Sequence, residues 1–430
     1  MPSALTDRAQ TDVNASLETY PKPHDRSRTV QIYYGWFIVA YGIVASCISV
    51  GTIISLSVFL SPISQELGTS HAGVSSVSTL AFLAMGVGGF MWGALSDRFG
   101  ARAIALVGGL LLGAGLLGAS NARDIGELQL TFGVVVGLAA GSAFAPLTAL
   151  TSSWFTRRRS LAVALVSMGL GMGTVTIAPL AGVIIEFAGW RAALASLSGL
   201  DLFVVAPGAL LLRQPPPELT DTTAAGIQTT DWSVSQAVRT PQFAAIALTF
   251  FCCCGAHSGP ILHMVGSATS NGSSTFEGTA MLTVAGIGGL VGRIVFGLAA
   301  DRYGARRALV FGLTLQALTI GLYTVIPSFM GLFVLSIFFG IAYGGVMPLY
   351  AVLIREYFGA RIMGTAFGAV TMVANVGMAL GPLAGGWLYD SYTSYVSMYI
   401  GAGIIGAAAV LIALVFRAPS EPKTQPLAAH

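Results

Sequence analysis

The sequence predicts an all-α membrane protein of twelve transmembrane helices in two six-helix halves. Three observations carry that expectation. The 430 residues are 54% hydrophobic and only 9% charged, with a mean hydropathy of +0.77, whereas a soluble domain carries about 25% charged residues. Apolar runs of spanning length follow one another with short connections. Segments of the first half return in the second at near-constant spacing. The composition excludes a soluble enzyme, a secreted disulfide scaffold and a disordered chain, and a net charge of +3 is too slight to suggest nucleic acid. The 54 glycines lie within apolar runs, where small residues let membrane helices approach closely. The bilayer is the expected solvent, and a monomer the expected state.

Residues 1–32 are polar and lack an apolar core, so they read as a tail rather than a signal peptide. Runs long enough to span, roughly 20 residues, then lie near 33–60, 71–95, 103–120, 126–150, 160–186 and 191–212, making a first half over 33–212. Residues 213–241 open with Arg213-Gln-Pro-Pro-Pro-Glu218, whose prolines end the sixth helix and begin a polar linker. Six further runs, near 242–266, 278–298, 308–325, 329–354, 363–388 and 394–416, make a second half over 242–416, and 417–430 form a second tail.

Basic residues are unevenly placed. Alternate connections hold Arg98 and Arg102, Arg157 to Arg159, Arg302, Arg306, Arg307 and Arg361, while the opposite set holds only Arg123 and Arg191. The bias of Lys and Arg towards the cytoplasm puts the basic end inside. A multi-pass plasma-membrane protein, in a bacterial inner membrane, with both termini cytoplasmic is expected. Cys252, Cys253 and Cys254 are consecutive, so they point about 100° apart on a helix and cannot share a metal. No phosphate-binding G-x-x-x-x-G-K-[ST] loop is present, so ATP is not the expected energy source, and no cofactor or metal is expected.

Three segments repeat. Gly93-Ala-Leu-Ser-Asp97-Arg98-Phe-Gly100-Ala-Arg102 returns as Gly297-Leu-Ala-Ala-Asp301-Arg302-Tyr-Gly304-Ala-Arg306-Arg307, with the two aspartates 204 positions apart. Gly137-Leu-Ala-Ala-Gly141 returns as Gly340-Ile-Ala-Tyr343-Gly344, and Ala178-Pro179-Leu-Ala-Gly182 as Gly381-Pro382-Leu-Ala-Gly385. Parallel six-helix repeats are an architecture of secondary transporters. On these motifs the sequence resembles the major facilitator superfamily over residues 33–416, the repeated charged loop being that group's most specific signature. The resemblance implies a major facilitator fold. It also implies that Asp97, Arg98 and Arg102, with Asp301, Arg302 and Arg306, fasten neighbouring helix ends on the cytoplasmic side while the protein is open outward. Paired charges at helix ends make a latch that breaks when the halves rock; the same charges also set topology.

Ionisable residues within spans are costly and become functional candidates by default. Arg293 in the eighth span is the sharpest, because its planar, permanently charged fork fits a carboxylate. The matching position in the first half is near Gly89, so the fold itself does not call for arginine there. An arginine placed here also snorkels to the membrane surface or pairs with Asp301. The string Gly292-Arg293-x-x-x-Gly297-x-x-x-Asp301, with Tyr34-Gly35-Trp36-Phe37-Ile38-Val39 opening the first span, resembles the monocarboxylate transporters and the related oxalate/formate antiporters. That likeness implies that Arg293 binds a substrate carboxylate and that Tyr343 walls the site. Two departures stand out. Gly289 occupies the place of an aspartate in the animal monocarboxylate transporters, and 363–388 holds no Lys or Arg to serve as a second cation, which argues for one carboxylate per substrate.

His257 could meet substrate or carry a proton, and His263 and Asp201 are further proton-coupling candidates, although a histidine on an apolar helix is commonly satisfied by a neighbour. The expected function is secondary transport of a small organic monocarboxylate by alternating access, coupled to protons or to a counter-anion. The alternative is a major facilitator exporter of a drug or neutral solute driven by proton antiport. A membrane sensor would need an output domain larger than the tails and linker supply. No nucleophile–base pair or paired carboxylates support an intramembrane enzyme.

Overall fold

The computed structural model describes residues 34–69, 71–156, 158–215, 232–415 and 419. The expected first tail, the second tail apart from residue 419, most of the linker and Arg157 lie outside the described residues. Every span is helical. In the first half α1 is Tyr34–Leu67, α2 His71–Phe99, α3 Ala101–Ser120 and α4 Ile125–Trp154. A continuous stretch, Arg159–Ala209, then covers 51 residues. At about 1.5 Å per residue that is far longer than the roughly 30 Å hydrocarbon layer. Gly189, at φ 83° and ψ 168°, breaks it, so α5 is 159–188 and α6 is 190–209. In the second half α7 is Pro241–Ser270, α8 Thr275–Tyr303, α9 Ala305–Leu322, α10 Phe329–Phe358, α11 Met363–Tyr392 and α12 Val396–Val415. Met347 and Pro348 interrupt α10.

Ten stretches among the described residues are long and apolar enough to cross a membrane. Dividing Arg159–Ala209 at Gly189 adds one. The twelfth is α9, which opens on Arg306 and Arg307 and carries Gln316 inside, and so is the least apolar of the set. The sequence did not foretell the π-helical turns at Gln129–Val136 and Asp201–Val205.

Large apolar side chains face outward as well as inward, unlike those of a water-soluble protein. Ser46, Ser49, Thr52 and Ser55 form an inward stripe on α1 at three-residue spacing, while Phe187, Phe203, Ile404 and Leu411 lie on the outside. A bilayer provides no hydrophobic drive between helices, so small and hydroxyl residues make the contacts.

The packing repeats as the sequence does. In the first half α1 lies on α5, with Gly51 facing Gly173 and Cys47 bonded to Thr176 at 3.3 Å; α2 packs on α4, and α3 on α6. The second half repeats this as α7 on α11, α8 on α10 and α9 on α12. The two most extensive contacts between the halves are α2 with α11 and α5 with α8. The tight connections after α2 and α8 turn on Gly100 (φ 83°) and Gly304 (φ 91°), a backbone conformation that other residues adopt only at a cost. That explains the repeated glycine after each Asp-Arg pair.

Between α2 and α11, Gly93 packs on the Gly364 carbonyl, which a methyl group at position 93 would overlap. Gly93→Ala should therefore lower stability by about 1–3 kcal/mol, read as a fall in thermal midpoint in detergent. Gly286→Ala, where an added Cβ meets nothing within 4 Å, should leave the midpoint unchanged.

Candidate functional site

Two places combine polar chemistry with the contact between the halves. One is the basic end, where the repeated loops lie. The Asp97 carboxylate, at the end of α2, accepts from the backbone N–H of Gly364 at 2.9 Å and of Thr365 at 2.6 Å, and from the Thr365 hydroxyl at 2.6 Å. Asp301, at the end of α8, accepts from the N–H groups of Ser160 at 2.9 Å and Leu161 at 3.1 Å. Gly364 and Thr365 belong to the first turn of α11, Ser160 and Leu161 to the first turn of α5. A first turn has N–H groups without intrahelical partners and the positive end of the helix dipole, and a carboxylate satisfies both. Each half thus caps a helix of the other.

The arginines of the loops differ in their partners. Arg306 donates to the carbonyls of Ala413 at 3.4 Å and Leu414 at 2.5 Å, holding the end of α12 within its own half. Arg98 lies over the Phe99 ring and Arg302 over the Tyr303 ring. Arg102 borders a shallow cleft with Leu212, Arg213 and Gln214. The helix termini, not these guanidinium groups, receive the two carboxylates.

A further tie across the halves escaped the sequence reading. Arg355 on α10 donates to the hydroxyls of Ser152 at 3.1 Å and Ser153 at 3.0 Å on α4. Ser152 also bonds the Met363 sulfur at 3.0 Å. Beside them Arg159, Glu356 and Asp301 lie within electrostatic range of one another. A signal was present: Trp154-Phe155 and Tyr357-Phe358 align in the repeat, placing Ser152 and Ser153 opposite Arg355 and Glu356.

The second place surrounds Arg293, which is 4% exposed. Its Nη1 donates to the Gly289 carbonyl at 2.9 Å, and its Nε has no hydrogen-bond partner among the described residues. The side chain therefore turns back along α8, away from Asp301. Two glycines make room for it. A Cβ at Gly171 on α5 would lie 3.2 Å from Nη1, and a Cβ at Gly289 would lie 3.3 Å from Nη1 and 3.2 Å from the Tyr343 hydroxyl. Arg293 therefore sits where α8 meets the opposite half.

Tyr343 on α10 stacks on the His257 ring from α7, with centroids 5.3 Å apart and planes 23° apart. His257 is buried, and its Nδ1 lies 2.7 Å from the Cys253 carbonyl. A carbonyl only accepts, so Nδ1 carries the proton, and Nε2 of a neutral ring is an acceptor. The structure thus brings together Arg293, Tyr343 and His257 from three helices.

His263 and Asp201 lie elsewhere. His263 donates from Nε2 to the Pro382 carbonyl at 3.1 Å and rests against Tyr395. Asp201 is fully buried in the π-helical turn of α6, where its oxygens sit beside the Gly113 backbone without a well-formed hydrogen bond.

Comparison with known proteins agrees with this architecture. The family model described as Major Facilitator Superfamily matches residues 41–269 and 246–430. Monocarboxylate transporter 13 of Bos taurus is 29% identical over 398 residues, covering 91% of this chain and 92% of that protein. Monocarboxylate transporter 11 of Homo sapiens is 27% identical over 405 residues, covering 90% and 84%. Among solved structures, the proton:xylose symporter XylE bound to 6-bromo-6-deoxy-D-glucose superposes with a TM-score of 0.71 at 14% identity, over 89% of this chain and 96% of that one. FucP in the outward conformation gives 0.68 at 13% identity, over 88% and 98%. Repeated charged loops, repeated packing and a family match along nearly the whole chain lead to one conclusion: the chain belongs to the major facilitator superfamily of membrane transporters.

Proposed function

We propose that the protein moves a small organic monocarboxylate across the plasma membrane by alternating access, with Arg293 as the carboxylate anchor. The observation that carries this reading is the buried guanidinium of Arg293 at the contact between the halves, packed against Gly171 of the opposite half, with Nε unpartnered among the described residues. A planar fork in a site shielded from water makes strong, charge-assisted bonds to a carboxylate. The relatives named as monocarboxylate transporters, aligned along about nine-tenths of the chain, support the same substrate class. Tyr343 and His257 wall the site, and Nε2 of His257 offers one acceptor for a substrate hydroxyl or proton.

In this reading the basic end faces the cytoplasm, and Asp97 and Asp301 hold it shut against the N-termini of α11 and α5. Opening inward separates α2 from α11 and α5 from α8 there, and the bonds of Arg355 to α4 break with them. Drug or neutral-solute export by proton antiport is the competing reading, and it gives a buried arginine no cargo to hold.

Arg293→Gln should lower monocarboxylate counterflow in proteoliposomes by at least about thirtyfold, with an unchanged thermal midpoint showing that folding is kept. Full activity in that variant, or transport of uncharged solutes alone by the native chain, would sink the assignment. The gate is tested separately. In Asp97→Asn combined with Asp301→Asn, the lost charge-assisted bonds, about 1.5–3 kcal/mol each, should favour opening of the basic end. A reporter substitution, Ala149→Cys on α4, should then be alkylated at least about tenfold faster. Background is low because the native cysteines 47, 252, 253 and 254 are buried.

A further inference from the structure

The charge of the Arg293 site decides more than which group it binds. Three helices of three different registers meet there, and the side chains they present can be counted. From α8 comes the guanidinium, permanently cationic. From α10 comes Tyr343, a neutral phenol. From α7 comes His257, whose Nδ1 proton is engaged by the Cys253 carbonyl. The opposite half offers Gly171, which has no side chain. Among the described residues no carboxylate lies within ion-pair distance of Arg293, and the titratable groups in electrostatic range of it are Tyr343 and His257. The empty site therefore holds one uncompensated positive charge, and a single bound carboxylate makes it neutral.

Passage between outward-open and inward-open states takes the carrier through a form in which α5 and α8 close over this site. A lone buried cation is strongly unfavourable in a low-dielectric interior, whereas a paired one is tolerated. A proton cannot relieve the empty site, because a proton on His257 would put a second positive charge beside the first. A carrier that returns empty needs an acid next to the arginine to pair with it once the substrate has left. Gly289 is the position from which such an acid would reach Nη1, and it has no side chain.

We propose that this protein is an obligate anion exchanger, which reorients when Arg293 is paired with a monocarboxylate and only slowly when the site is empty, so that one carboxylate leaves for each that enters. The proposal rests on Arg293 being the carboxylate anchor, and the experiment separates the two. Purified full-length protein is reconstituted into liposomes in chloride-free sulfate medium, and uptake of labelled pyruvate is measured in two modes. In one, the lumen holds unlabelled pyruvate. In the other it holds none, and an inward proton gradient supplies the drive.

Exchange should exceed net uptake by at least about tenfold, and the proton gradient should leave the exchange rate unchanged. Net, gradient-driven uptake as fast as exchange would overturn the exchanger while leaving the carboxylate reading intact. Absence of uptake in both modes, for pyruvate and for a panel of short and aromatic monocarboxylates, would overturn the carboxylate reading and the exchanger with it. Gly289→Asp gives an independent check. The groups that its Cβ would meet are the far ends of Arg293 and Tyr343, which can shift. An acid there should bring the ratio of exchange to net uptake down towards one and make net uptake depend on the proton gradient. An unchanged ratio in a variant that keeps its native thermal midpoint would overturn the charge argument.

Discussion

A charged guanidinium held inside a membrane protein is the constraint around which the rest is arranged. Arg293 cannot be neutralised by losing a proton, so it must be shielded from lipid, given space and provided with partners. The fold meets each need locally. α8 supplies the Gly289 carbonyl, α10 and α7 supply a stacked tyrosine and histidine, and the opposite half withdraws by placing Gly171 against it. Such a residue is stable only with an anion nearby or at an energetic cost, and a carrier can use that difference to tie its motion to its cargo.

Movement needs an interface that holds and then lets go. At the basic end the bonds between the halves run from carboxylates to unpaired N–H groups at helix starts. Such bonds are strong enough to favour one state, yet water can replace them once the ends part. The internal repeat supplies two of them in equivalent positions, so both pairs of joining helices are held alike. The cost of closeness is met by glycine, as at Gly93 against Gly364, where any side chain would keep the halves apart.

Much of the fold was legible because the bilayer imposes a simple rule. Each span must be long and apolar, so α1 to α4, α7 and α12 stand out in the sequence, and the Arg-rich connections set off one end from the other. The π-helical turns were invisible, since nothing in Gln129–Val136 or Asp201–Val205 departs from ordinary helix composition. Of the loop charges, the two aspartates each accept from N–H groups at the start of a helix in the opposite half. The arginines spread to a helix end, two aromatic rings and a cleft, because a long flexible cation can satisfy itself in several ways and only packing chooses among them. Arg355 was passed over because it reads as one more basic residue near a loop. Its worth comes from serines some 200 positions away in the chain.

By itself the sequence determined the helical class, the two-fold repeat, the basic end and the short roster of intramembrane ionisable residues. These follow from composition and period, which the solvent reads one segment at a time. Only the tertiary structure decided which of that roster act together. Arg293, Tyr343 and His257 converge because α8, α10 and α7 cross at the right height, while His263 and Asp201 lie on surfaces that face other neighbours. A residue's chemistry is fixed by its type, but its partners are set by how helices cross, and no local pattern in the chain encodes that.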